Sequence, residues 1–265
     1  MKIVFLTTSD AIYLPAFFDR VLRDSASQTQ AVHVVPPLYK GQTFLRAFLR
    51  YYRTFGLRGV WGLTVRIAHA KGRRASIQAV CSRHGVKCSV ISDVNAPEFV
   101  SHLREIGTDL IVSVSCPQIF KRTLLESPSL GCLNIHGALL PQYRGVMPSF
   151  WMLANGERIA GVSIYFMNEQ IDAGELCRQR AFAIGVRETL DAFLHRSKAV
   201  AAELLLEVLG EIEAGEVERT PLDLTTGSYY SWPDREAARR FYSTGRERPA
   251  CPGHGRRGLH RQSPG

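Results

Sequence analysis

Between Asp24 and Asp93 the sequence has no acidic residue, although 24 aspartates and glutamates occur along its 265 residues. Nine lysines and arginines from Lys40 to Arg74 fall inside that interval, within a chain of formal net charge +9. That imbalance suggests an anionic partner for the stretch. Cysteine is sparse: Cys81, Cys88, Cys116, Cys132, Cys177 and Cys251 show no C-x-x-C spacing. That pattern excludes a recognisable disulfide framework and suits free thiols in a reducing cytoplasm. Cys116 lacks a His-paired motif and reads as a buried thiol, not a nucleophile. Cys251, His254 and His260 are too few to hold a structural zinc, so no metal is expected.

Long hydrophobic runs are missing too. The opening MKIVFLTTSDAIYLPAFF is interrupted at Thr7, Thr8, Ser9 and Asp10, too early for a signal-peptide core or a membrane span, and reads as a first buried strand. The turn after it, TTSDAIYLP, contains no glycine, which removes the dinucleotide fingerprint from the place it would need to occupy. The later GLRGVWG has spaced glycines, but no strand precedes it and Trp61 is bulky, which argues against phosphate binding there.

What is present is a 45% hydrophobic chain long enough to bury a sizeable core. Short β-branched runs, KIVFLTT, AVHVVP, KCSVIS, DLIVSVSC, CLNIHG and GVSIYFM, alternate with helical patterns such as LPAFFDRVLRDSA and APEFVSHLREIG. The alternation predicts an α/β fold, Rossmann-like, with a mostly parallel sheet and helices on both faces. Ligands then belong at the carboxyl ends of the strands. One long amphipathic helix is expected from Arg187 to Ala214. Beyond it the pattern weakens: residues 216–246 form a short extension expected to be poorly ordered, and the Pro-, Gly- and Arg-rich residues 247–265 a disordered basic tail. No internal repeat is visible.

In CLNIH, the period of two puts Asn134 and His136 on one face of a strand and Ile135 on the other. An amide and an imidazolium converging on one point form a donor pair for a developing negative oxygen, as acyl transfer requires. Asp172, in the turn of NEQIDAGEL after the next strand, is the candidate to reach back over the same strand end and manage a proton. Singly, each of these residues has an ordinary structural explanation in a hydrogen-bonded strand end or a turn.

Together, LGCLNIHGALLPQYRG and ANGERIAGVSIYFMNEQIDAGEL with the later Gln179 resemble the formyltransferase catalytic domain shared by glycinamide ribonucleotide, methionyl-tRNA and amino-sugar formyltransferases. The resemblance covers residues 1–215 and is strongest from Asp109 to Gln179. It implies Asn134, His136 and Asp172 as catalytic residues and 10-formyltetrahydrofolate as formyl donor. It also implies a pterin held by backbone groups of Gln118, Ile119 and Phe120 and of Asn168, Glu169, Gln170 and Ile171. Two positions depart from many relatives, Ala138 in place of Ser and Ser163 in place of Thr; the first removes a hydroxyl near the site.

Residues 40–74 form an insertion between the second and third strands. Phe44, Leu45, Phe48, Leu49, Tyr52 and Phe55 recur at helical spacing with Arg46, Arg50, Arg53 and Arg58 between them. Such a surface fits anionic lipid or a nucleotide-linked substrate, while a helical pair packed on the sheet with solvated arginines is the plainer alternative. RNA is disfavoured because no binding module is recognisable.

The expected function is formyl transfer to a small-molecule amine such as an amino-sugar nucleotide, in the cytoplasm, or at the inner face of the membrane if the insertion meets lipid. Two alternatives stand beside it: a methionyl-tRNA formyltransferase-like enzyme without the usual C-terminal domain, and a non-catalytic formyltransferase-like binding or membrane-associated protein.

Overall fold

The computed structural model describes residues 1–37, 43–72 and 76–246. The tail expectation at 247–265, with Cys251, His254 and His260, therefore lies outside the described residues, as do Lys40, Arg73 and Arg74 of the insertion.

In chain order the elements are β1 (Ile3–Thr8), α1 (Leu14–Ser25), β2 (Thr29–Val35), α2 (Phe44–Gly72), α3 (Ile77–Arg83), β3 (Lys87–Val90), α4 (Pro97–Glu105), β4 (Leu110–Val114) and α5 (Arg122–Leu125). Then follow β5 (Gly131–His136), β6 (Arg144–Gly145), α6 (Pro148–Ala154), β7 (Ile159–Phe166), β8 (Glu175–Ala183), α7 (Leu190–Ala214), β9 (Thr220–Pro221), β10 (Tyr229–Tyr230) and α8 (Arg235–Ser243). The main sheet has the order β3-β2-β1-β4-β5-β7-β8-β9. Its first five members run parallel and the last three antiparallel. β1 and β4 are its buried centre, with apolar clusters on both faces, and this two-sided burial explains why both read as unbroken apolar runs. The chain moves outward from β1 in one direction through β2 and β3, then returns to β4 on the other side. That reversal opens a crevice at the carboxyl ends of β1, β4 and β5.

Three features differ from the sequence expectation. β8 has no counterpart among the predicted strands, because Arg178 and Arg180 break its apolar pattern. Both arginines are met by α7, at Glu211 and Glu207, so a polar strand is held by partners 33 and 27 residues further along the chain. α7 starts at Leu190 instead of Arg187: Thr189 caps it by accepting from the Ala192 N–H, while Glu188 turns back to the Gly185 N–H and to Arg196.

The third difference is the extension at 216–246, which is ordered. Asp234 caps α8, whose Ala237, Ala238 and Phe241 are buried against α6 and α2. Phe55 joins this second core, 5.6 Å from the Phe150 ring centre, and Phe150 lies 5.1 Å from Phe241. Tyr242 donates to the Phe55 carbonyl at 2.8 Å, and Thr54 to the Pro233 carbonyl at 3.1 Å. The insertion is thus helical, as expected, but it docks on the extension and α6 rather than on the sheet. Gly56, at φ 66 and ψ −170, breaks α2 into two helical halves, a conformation that a side chain would resist. Arg50 lies 4.3 Å from the Trp232 ring centre, and Arg66 faces Asp191 of α7 at 3.9 Å, so part of the basic charge is used in packing.

Candidate active site

β5 lies between β4 and β7, with Asn134 opposite Ser113 on one side and Tyr165 on the other, and His136 opposite Ser163. The turn that follows is fastened from beneath. Ser163 Oγ donates to the Ala138 carbonyl at 2.6 Å and accepts from the Leu140 N–H at 2.9 Å, while Gln179 Nε2 donates to the Leu140 carbonyl at 2.7 Å. The hydroxyl at 163 and the amide at 179 therefore shape the turn that brings Tyr143 and Gly145 over the strand end.

Asp172 is buried, at φ 49 in the left-handed region. Its Oδ1 accepts from the Tyr165 hydroxyl at 2.8 Å and its Oδ2 from the Gly145 N–H at 2.7 Å. His136 Nδ1 is 3.6 Å from the same Oδ2, within ion-pair reach. His136 Nε2 lies 2.8 Å from the Tyr143 carbonyl, which can only accept, so this nitrogen carries a proton. A proton on Nδ1 as well would make the ring an imidazolium set against the carboxylate. Asn134 Nδ2 donates to the Tyr165 hydroxyl at 2.9 Å and keeps its second N–H.

Tyr165 thus joins Asn134 to Asp172, and the sequence gives no reason to single it out, since a tyrosine inside GVSIYFM reads as core. Burial, then the charge on Asp172, pushes its hydroxyl pKa well above the usual tyrosine value, so the group stays a donor. Tyr165→Phe would leave Asp172 Oδ1 without that donor and free the Asn134 amide to swing. The variant is expected to keep its melting temperature within a few degrees while kcat falls about tenfold, with KM little changed. Wild-type kcat would show that the bridge is structural only.

The three expected catalytic residues share one cavity of about 560 Å³ with all seven expected donor-site residues, Gln118 to Phe120 and Asn168 to Ile171. Several of those seven already have partners. The Gln118 side chain pins the preceding loop, donating to the Ser92 carbonyl and accepting from the Val94 N–H, both at 2.8 Å. Asn95 donates to the Ile119 carbonyl at 2.9 Å, and Arg144 to the Ile171 carbonyl at 3.0 Å. Phe120 is buried in the core cluster beneath, so only its backbone is available to a ligand. Asn168 Oδ1 accepts from the Gln170 N–H, which holds the loop in shape. Ile119 and Ile171, 64% and 43% exposed, give this cavity apolar walls that suit a flat heterocycle.

The opposite wall contains a group that the sequence did not mark, Lys198 of α7, whose Nζ donates to Ser115 Oγ at 2.8 Å. Desolvation lowers its pKa, with Asp10 pulling the other way. Burial raises the Cys116 thiol to about 11, in keeping with an unreactive thiol.

Comparison with known proteins places this geometry. Residues 67–209 match the model of the formyl transferase family. Methionyl-tRNA formyltransferase of Ruminiclostridium cellulolyticum is 34% identical over 146 residues, 55% of this chain and 47% of that protein, so the chain spans about half the length of the curated relatives it matches. Among solved structures, glycinamide ribonucleotide transformylase 1 from Symbiobacterium toebii superposes with a TM-score of 0.58 at 17% identity, covering 84% of this chain and 95% of that one. An N-formyltransferase from Helicobacter canadensis, in complex with folinic acid and dTDP-3-aminofucose, superposes with a TM-score of 0.55 at 17% identity, covering 87% and 71%. The structural likenesses share the fold, and the family match takes in β4, β5, β7 and the Asp172 turn: the chain belongs to the formyl transferase family.

Proposed function

We propose that this chain moves a formyl group from 10-formyltetrahydrofolate to the amine of a small-molecule acceptor, with residues 1–215 as the catalytic unit. The observation that carries it is the linked set Asn134–Tyr165–Asp172–His136, closed within a few ångströms at the end of β5 in a cavity of small-molecule size. The apolar flanks at Ile119 and Ile171, with the backbone of 118–120 and 168–171, would hold the pterin; the Helicobacter protein's folinic acid supports a folate in this fold.

10-Formyltetrahydrofolate would supply the electrophilic formyl carbon and, at N10, the leaving nitrogen. The free N–H of Asn134 and a proton on His136 Nδ1 offer positive potential to the formyl oxygen as negative charge gathers there. A carbon–nitrogen bond forms to the acceptor amine while the bond to N10 breaks. Asp172 takes the proton that the amine gives up, and a proton passes back to the departing nitrogen. Gly145 N–H and Tyr165 fix the Asp172 carboxylate for this task, and the Tyr143 carbonyl fixes the His136 ring.

The names of the curated relatives favour a second acceptor, methionyl-tRNA, though those proteins are matched over only about half their length. Release of tetrahydrofolate from 10-formyltetrahydrofolate, followed across candidate amines and methionyl-tRNA, tests both. Amine-dependent release supports formyl transfer, and preference for charged tRNA over every small amine would replace the acceptor. No release with any acceptor, together with no saturable binding of 5-formyltetrahydrofolate, would sink the proposal.

A further inference from the structure

A second cavity, of about 740 Å³, opens beside the first, and Ser115, Cys116, Pro117, Gly145, Val146 and Met147 line both. Gly145 is the residue whose N–H binds Asp172, so the two spaces meet next to that carboxylate. The far walls are largely apolar, with Phe44, Phe48 and Tyr51 from the first half of α2, Leu63 and Ile67 from the second, and Trp232 from the extension, against whose ring Arg50 also lines the space. A concave, largely apolar space of this size beside a candidate active site has the character of a small-molecule site. Nucleotide sugars and tRNA have no apolar chain to fill it.

The element that walls this cavity also faces outward. Phe44, Leu57 and Trp61 of α2 are 77%, 75% and 72% exposed. Arg46 and Arg53 are exposed among them, and α2 contains no acidic residue. Exposed apolar groups beside Arg46 and Arg53 on one surface helix are the chemistry that meets an anionic bilayer surface. Among the described residues no helix is long and apolar enough to cross a membrane.

We propose that the second cavity takes up the hydrocarbon chain of the acceptor, which is therefore an amine carried on an anionic amphiphile and drawn from a membrane surface. This rests on the formyl-transfer reading and names its acceptor class. With the chain lying along both halves of α2, which line the cavity on either side of the break at Gly56, the head group emerges at Gly145, where its amine meets Asp172.

The test uses the full chain with dodecyl phosphate, shorter alkyl phosphates, inorganic phosphate and 5-formyltetrahydrofolate as calorimetric probes. Leu63→Trp and Ile67→Trp serve as cavity-filling variants, each checked by thermal melt. Affinity is expected to rise with alkyl length, reaching at least about tenfold over inorganic phosphate, and either tryptophan should weaken dodecyl phosphate by about tenfold while leaving 5-formyltetrahydrofolate binding unchanged. Affinity independent of chain length in the wild type, or dodecyl phosphate binding untouched in a folded variant, overturns the proposal; the wild-type series decides even if neither variant folds. Flotation with phosphatidylglycerol vesicles should be strong at low ionic strength and weak at high, and its absence at both rejects the membrane as source. Loss of folate binding with the chain-length dependence intact would instead defeat formyl transfer, and with it the acceptor role, but not the alkyl site.

Discussion

His136→Ala and Asp172→Asn are each expected to lower turnover by about two or more orders of magnitude in folded protein, with Asn134→Ala close behind. Both residues sit at contacts no neighbour can replace. Removing the imidazole leaves the Tyr143 carbonyl without its donor and takes from the cavity the ring whose Nδ1 faces Asp172 Oδ2 at 3.6 Å. Asp172→Asn keeps the shape of the side chain, but one carboxylate oxygen becomes an NH2 that must face a donor, either the Gly145 N–H or the Tyr165 hydroxyl. The amide also has no useful basicity toward an attacking amine. Tetrahydrofolate release at saturating donor, beside circular dichroism melts, is the measurement. Near-normal turnover in any of the three folded variants would remove that residue from the mechanism.

Gly174→Ala is expected to be nearly as damaging, although residue 174 touches no substrate in the proposed reaction. An added Cβ there would run into the backbone carbonyl of Phe166 and crowd the Tyr165 ring. The main chain of the loop must move to admit it, at a cost of about 1–3 kcal/mol. Asp172 lies two residues upstream and is held by hydrogen bonds of 2.7 and 2.8 Å, so a shift of about an ångström breaks its alignment and can cost on the order of a hundredfold in rate. The expected result is a lowered melting temperature together with a kcat loss on the order of a hundredfold. Gly210→Ala is the contrast: nothing stands within 4 Å of its added Cβ inside α7. It is expected to leave turnover unchanged and raise stability by about 0.5–1 kcal/mol. Equal behaviour of the two variants would show that packing at Gly174 does not position Asp172.

Much of the candidate site was legible before any fold was known. Asn134 and His136 are two residues apart on a strand, and a strand's period of two leaves them little choice but a common side. Asp172 sits in an Asp-Ala-Gly turn just beyond the next strand, close enough in sequence for its return to be foreseen. Tyr165 was not legible, because an inward tyrosine in a strand looks the same whether its hydroxyl meets a solvent water or a carboxylate. Lys198 was hidden for a related reason: α7 reads as one amphipathic helix, and nothing in its period says that one lysine reaches Ser115 across the sheet end.

The sequence by itself determined the parallel core strands, and it singled out Asn134, His136 and Asp172, which the fold brings into one cavity at a strand end, because each of these depends on local periodicity or on residues near one another in the chain. Only the tertiary structure decided the order of residues 216–246, the strand β8 with its arginines paired to α7, and the second cavity. Phe241 meets Phe150 and Phe55 across separations that no local window spans. An apolar residue in such an extension looks exposed until the distant partner that buries it is known, and the second cavity takes walls from α2, the extension and the strand-end loops, which no local pattern joins.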